Sequence, residues 1–282
     1  MINDFVNIII NHSFMGRAVI AAVLVGIIAG AIGSFIILRG LSLMGDAISH
    51  AVIPGVAISQ VFGISHFIGA SVFGILASFA IGFISEKSKL KKDTIIGIVF
   101  SSFFALGLLL ISRIRTVTDL HSVLFGNVLT VSSADIAILS VVGLSLLLFI
   151  ILFYKELLIT SFDETLAKVY GLKTRAMHYA FLFMLTLIIV SSLQIVGAIL
   201  IVSMIIAPAA TAYLLTNRLP VMLAVSTAIG AAGAIIGMFF SISFNLPSGA
   251  SIVLALASIF TLALVFAPKK GLVFQIKNNS NV

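Results

Sequence analysis

The sequence predicts an all-α, polytopic membrane protein of about nine spanning helices, and three observations carry that prediction. Only 9% of its 282 residues are charged and 61% are hydrophobic, where a soluble domain has roughly 25% charged. The apolar residues fall in long blocks, several at or above the ~18 residues that mark a spanning helix. The basic residues sit in short breaks between those blocks, which is how orientation in a bilayer is encoded.

The same composition excludes several classes. The net charge of +7 forms no basic patch with interleaved aromatics, so no nucleic-acid partner is expected. The chain has no cysteine, which removes disulfides, thiolate metal ligands and iron–sulfur clusters. Its first fifteen residues hold Asp4 and neither Lys nor Arg. They lack the positive n-region of a cleaved signal peptide, so the first spanning helix is expected to do the targeting.

Taken in order, the apolar blocks place spans at 16–38, 45–62, 66–85, 94–112, 134–154, 177–192, 194–214, 220–242 and 249–267, in one domain over 1–282. The first carries Gly26, Gly30 and Gly33, and the eighth Gly230, Gly233 and Gly237. Small residues at such spacing let helix backbones approach where lipid gives no hydrophobic drive. Asp135 opens the fifth span as a helix cap. The block 177–214, at 38 residues, is too long for one helix, and Ser191, Ser192 and Gln194 mark a hairpin in its middle.

Charge fixes the expected orientation. Arg39, the lysines at 87, 89, 91 and 92, Lys155, Lys168, Lys173, Arg175, Arg218, Lys269, Lys270 and Lys277 share one side of a nine-span chain. Arg17, Arg113 and Arg115 dissent. The positive-inside rule then puts the N-terminus outside and the C-terminus inside.

Ionisable residues at membrane depth are costly and mark function. The clearest pair is Asp46 and His50 at the start of the second span. Spaced i, i+4, they project from one helix face about a turn apart. A carboxylate with an imidazole suits Mn²⁺, Zn²⁺ or Fe²⁺, with further ligands from water, backbone or a second copy of the pair. The residues alone equally allow Asp46 as an N-cap and His50 bonded to a nearby carbonyl. Pro54, four residues on, has no N–H for the His50 carbonyl, which is expected to be freed as an oxygen ligand or water site. Pro208 does the same for Met204 in the seventh span. His12, His66, His121 and His178 fall at span ends or in loops and need no special role.

The longest polar stretch on the inner side is Ser161–Gly171. It is expected to form a short amphipathic helix within about 162–175. Asp163 and Glu164 open it, Ala167 lies within it, Leu166, Val169 and Tyr170 make an apolar face, and Gly171 ends it. Such a helix fits a groove on a soluble partner, or lies on lipid. No G-x-x-x-x-G-K-[ST] occurs, so ATP is not bound by the P-loop route, and any ATP-driven step needs another polypeptide.

Leu43-Met-Gly-Asp-Ala-Ile-Ser-His-Ala-Val-Ile-Pro-Gly-Val-Ala57 closely resembles the permease subunits of the ABC-3 family, the manganese and zinc importers. The stretches Asp119–Asn127 and Val196–Ala210 agree, and the likeness runs over about 15–268. The resemblance implies a fold like the vitamin B12-type importers in the plasma membrane. It implies two permease copies, a cytoplasmic ATPase dimer that binds the ATP, and an extracellular metal-binding lipoprotein. It assigns metal contact to Asp46 and His50 and coupling to the ATPase to the 162–175 segment. No permanently bound cofactor is implied; the metal is cargo, with manganese expected ahead of zinc or iron.

The expected mechanism is alternating access, with the binding protein docking near Arg113, Arg115 and Asp119. A site that must release its ion has to bind weakly, which suits two residues per copy better than a four-ligand cage. A gradient-driven secondary transporter would need more intramembrane carboxylates. An intramembrane metalloprotease would need H-E-x-x-H, which is absent.

Overall fold

The computed structural model describes residues 13–114, 131–267 and Gly271. Within them the chain forms twelve helices and no strand. They are α1 (Ser13–Arg39), α2 (Met44–Ala51), α3 (Ile53–Phe62), α4 (His66–Lys87), α5 (Lys92–Ile114), α6 (Ser133–Leu152), α7 (Tyr154–Phe162), α8 (Glu164–Val169), α9 (Thr174–Val196), α10 (Ala198–Leu215), α11 (Leu219–Phe244) and α12 (Ser248–Phe266). Eight of these, namely α1, α4, α5, α6, α9, α10, α11 and α12, are each long and apolar enough to cross a membrane. The segment expected as the second span, 45–62, is divided into two short helices, α2 and α3, neither of which is long enough to cross a membrane by itself. The motif at Asp119–Asn127, and with it Arg115 and His121, lies outside the described residues, as do Lys269, Lys270 and Lys277.

The helices fall into two units. The first holds α1 as far as Ile37, the opening turns of α6, α10 from Ile199, α11 and α12. Its seams are glycine contacts. A Cβ on Gly26 would strike the Gly230 carbonyl, and one on Gly230 would strike the Gly26 carbonyl. At Gly30 an added Cβ would come within 2.8 Å of the Ser226 carbonyl carbon. The Ser226 hydroxyl donates to the Gly30 carbonyl at 2.7 Å. Gly237 packs on the Ile252 backbone of α12 in the same way, while Gly233 makes room for the Leu256 side chain. These glycines close backbones together, as their spacing predicts. At the head of α6, Ser132 and Asp135 cap reciprocally: the Asp135 carboxylate accepts from the Ser132 N–H at 3.0 Å, and the Ser132 hydroxyl accepts from the Asp135 N–H at 3.2 Å.

The second unit holds α2 to α5, α6 from Val141, and α7 to α9. Here α3 and α4 meet through Gly55 and Gly69, each of whose Cβ positions is occupied by the other's carbonyl. Gly107 of α5 leaves room for Ile53 and Pro54, with an added Cβ 2.7 Å from Ile53 Cγ2 and 3.1 Å from Pro54 Cδ. The α2–α3 segment is thereby clamped by α4 on one side and α5 on the other.

Three expectations are corrected. The division of the 177–214 block falls at Gly197, not at Ser191–Gln194. Gly197 adopts φ 80°, whereas the Ser191 hydroxyl turns back to the Ile188 carbonyl at 3.1 Å and lets α9 continue. The His50 carbonyl is not freed by Pro54. Val52 keeps helical angles (φ −79°, ψ −14°), and the backbone N–H groups at the α2 C-cap bond the His50 and Ile48 carbonyls. The helix expected over 162–175 is only the six residues of α8, because Phe162 closes α7 and Asp163 is extended (φ −148°, ψ 100°).

Candidate functional site

Asp46 is the third residue of α2 and His50 its seventh. The α2 N-cap is Leu43, with no side-chain cap bond, so Asp46 is not the cap. Its Oδ1 lies 3.4 Å from His50 Nε2. The Asp46 side chain is 52% exposed and the imidazole 20%. His50 finds no carbonyl either, since its Nδ1 is buried without a hydrogen-bond partner. Neither the cap nor the carbonyl bond is present, and the carboxylate and the imidazole instead face each other from one helix turn.

The imidazole is held by aromatic edges. Phe100 and Phe104 of α5 lie 5.5 and 5.6 Å from its centroid at 63° and 86°, and stack on each other at 5.8 Å. Ring contacts of this geometry are attractive and directional. They fix the ring with Nε2 toward Asp46. The i, i+4 phenylalanines went unremarked in the sequence because the chain has 23 Phe, and nothing about these two differs from lipid-facing ones. Among the described residues no group of three or more His, Cys, Asp or Glu is placed to hold a metal. The pair offers half a coordination sphere at most.

Pro54 sits one turn beyond His50 and shapes the site through the α2–α3 junction. Pro208 lies inside α10, in the other unit, beside the buried Met204 and Ala209.

The α8 segment is well defined. The Asp163 carboxylate accepts from the Thr165 and Leu166 N–H groups at 2.9 Å each, capping the helix. At the far end Gly171 has φ 73°. The Leu172 N–H bonds the Ala167 carbonyl at 3.1 Å and the Gly171 N–H the Lys168 carbonyl at 3.0 Å, a glycine-dependent Schellman closure. Ala167 is fully buried, while Leu166, Val169 and Tyr170 are 46, 79 and 70% exposed. Glu164 pairs with Lys168 at 2.8 Å, and that contact holds its carboxyl below the usual glutamate range. Behind α8, Arg39 donates to the Ser161 and Thr160 hydroxyls at 3.0 Å each. Arg175 bonds Glu86 through two nitrogens at 2.6 and 2.8 Å. The apolar face is thus presented outward on a braced platform.

A multi-span helical bundle with a carboxylate–imidazole pair on a short helix clamped between two spans and a braced amphipathic helix elsewhere is the build of a membrane permease. The chain belongs to the ABC 3 transport family, whose model matches residues 11–267, and it is a multi-pass plasma-membrane protein of the permease type. A manganese transport system membrane protein of Listeria monocytogenes is 54% identical over 97% of this chain and 98% of its own length. The structure of PsaBC from Streptococcus pneumoniae in complex with Fab superposes with TM-score 0.88 at 50% identity, over 99% of this chain and 100% of that one. An inward-facing metal-chelate type ABC transporter, 21% identical over 88% of this chain and 84% of that one, has TM-score 0.68 and supports the fold alone.

Proposed function

We propose that the chain is the membrane-spanning subunit of an ATP-driven importer of Mn²⁺, and that Asp46 and His50 touch the ion as it passes. The observation that carries this reading is the incomplete pair itself. A carboxylate half exposed on a spanning helix costs about 3 kcal/mol if it meets lipid, so protein or water covers that face. A second copy of the chain would cover it and bring a second Asp46 and His50. The homologues named for manganese support the cargo.

The chain works as one permease domain with its N-terminus outside. It hydrolyses no ATP itself; a cytoplasmic ATPase dimer binds and hydrolyses it. The exposed face of α8 (Leu166, Val169, Tyr170) docks on that ATPase, with Asp163, Glu164, Ala167 and Gly171 holding the helix in shape. An extracellular metal-binding lipoprotein delivers the ion at the outer end. Hydrolysis moves α8, and motion of α9 and α4 reaches the α2–α3 junction at Pro54. Pro208, which removes one backbone hydrogen bond from the continuous α10, gives the first unit a compliant point for the same cycle.

The test is cellular metal content by mass spectrometry in a strain lacking the protein, complemented with wild type, Asp46→Ala or His50→Ala at matched membrane expression. Wild type is expected to restore manganese and both variants to fail. Restoration of zinc or iron instead would overturn the cargo, and full restoration by both variants would overturn the site.

A further inference from the structure

The second unit contains a cavity of about 720 Å³ whose lining includes neither Asp46 nor His50. It lies where α1, α4, α5 and α9 begin or end and where α7 and α8 cross, so it sits at the level of lipid headgroups. Five cationic side chains and two carboxylates line it. Both carboxylates are already matched, Glu86 by Arg175 and Glu164 by Lys168. Arg39, Lys87 and Lys92 form no ion pair among the described residues, although the field of the already paired Glu164 reaches Arg39 and Lys92.

These three charges are differently held. The Arg39 guanidinium is fixed by two neutral hydroxyls and by the Phe181 ring 4.3 Å away, so it is oriented without being neutralised. Lys87 and Lys92 are exposed at the rim. A divalent cation is disfavoured by this excess of positive charge. An anion is favoured, and oxygen-rich phosphate matches a fixed guanidinium flanked by lysines. The remaining lining includes Leu38, partly exposed at the end of α1, over the buried Met44, Ile81 and Leu182.

We propose that this cavity binds the phosphate of an anionic phospholipid headgroup. Basic pockets between spanning helices at one leaflet are suited to such headgroups. Because α8 forms part of the wall, a bound headgroup would brace the platform from which α8 projects.

The experiment is native mass spectrometry of the full-length chain in detergent, titrated with phosphatidylglycerol, phosphatidylcholine or inorganic phosphate. Wild type is expected to retain one phosphatidylglycerol per chain in preference to phosphatidylcholine. In Lys87→Gln/Lys92→Gln that affinity should fall by roughly thirtyfold, the loss expected of two near-surface lysines. Lys89→Gln/Lys155→Gln, which alters basic residues that do not line the cavity, should bind as wild type does. Equal retention by the Lys87/Lys92 variant, or equal loss in both double variants, would overturn the proposal. Displacement of the lipid by inorganic phosphate at equal concentration would assign the cavity to a soluble anion and overturn the lipid.

Discussion

The two glycine-rich seams of the first unit and the α2–α3 segment of the second handle polar groups at membrane depth in opposite ways. Where α1 meets α11, the buried hydroxyls are spent at once: Ser226 and Ser34 both donate to the Gly30 carbonyl, and both backbones close around the bonds. On α2, by contrast, His50 keeps a buried nitrogen without a partner and Asp46 keeps half its side chain open. Unsatisfied polar groups are expensive in a bilayer, so the open pair on α2 is where a partner from outside the chain gains most. Saturated polar contacts hold the first seam, whereas the α2 pair is left open, as the proposed contact with the cargo requires.

The largest effect that would break this contrast lies in the first unit. Gly26→Val drives a side chain into the Gly230 carbonyl, and neither backbone can give way without parting the helices. Folded, membrane-inserted protein should fall to a few per cent or less, read as the monodisperse peak of a fluorescent fusion. A normal peak would show that the seam is not what holds α1 to α11.

Next in size is the outward face of α8. Val169→Asp with Tyr170→Ala removes the most exposed apolar surface of the segment without touching Ala167 or the cap. The variant should insert and fold normally while losing most permease-stimulated ATP hydrolysis by the partner ATPase. Undiminished hydrolysis would remove α8 from the coupling route.

A finer probe is Phe104→Ala, which leaves both metal donors in place and takes away one edge of the clamp on His50. One such edge is worth about 1 kcal/mol, so manganese uptake should show an apparent KM raised roughly fivefold with little change in protein level. Phe104→Tyr should restore most of it by returning the ring. Indifference to Phe104→Ala would make the aromatic wall ordinary packing.

The smallest effect concerns pH at α8. The Glu164 carboxyl is depressed by Lys168, so the pair stabilises the folded segment above the usual glutamate range near 4.3 and is lost as pH falls through the lower, folded value. For a pair this exposed the gain is at most about 0.5 kcal/mol. Glu164→Gln should therefore melt slightly below wild type at pH 7 and with it at pH 3. A difference that grew on acidification would reverse the sign of the argument.

Most spans were legible because twenty apolar residues in a row have one use in a bilayer. The errors came where a local group hid its partner. Ser191 and Ser192 look like a break, yet a serine inside a helix can return its proton to the preceding turn, and the real stop was a glycine whose positive φ the sequence does not display. Asp163 was seen as an opening residue and proved to be the cap itself, which left Phe162 in the helix before. Asp46 and His50 were legible because their spacing is local. Phe100 and Phe104 were not, because the contact that distinguishes them joins α5 to α2 across some fifty residues.

The most direct measurement is pulsed electron paramagnetic resonance of Mn²⁺ on the purified permease with its ATPase. Nitrogen modulation from an imidazole ligand should appear in wild type and vanish in His50→Ala, with the manganese signal itself weakened in Asp46→Ala. Modulation that survives His50→Ala unchanged would place the ion elsewhere and leave the α2 pair without a role in its passage.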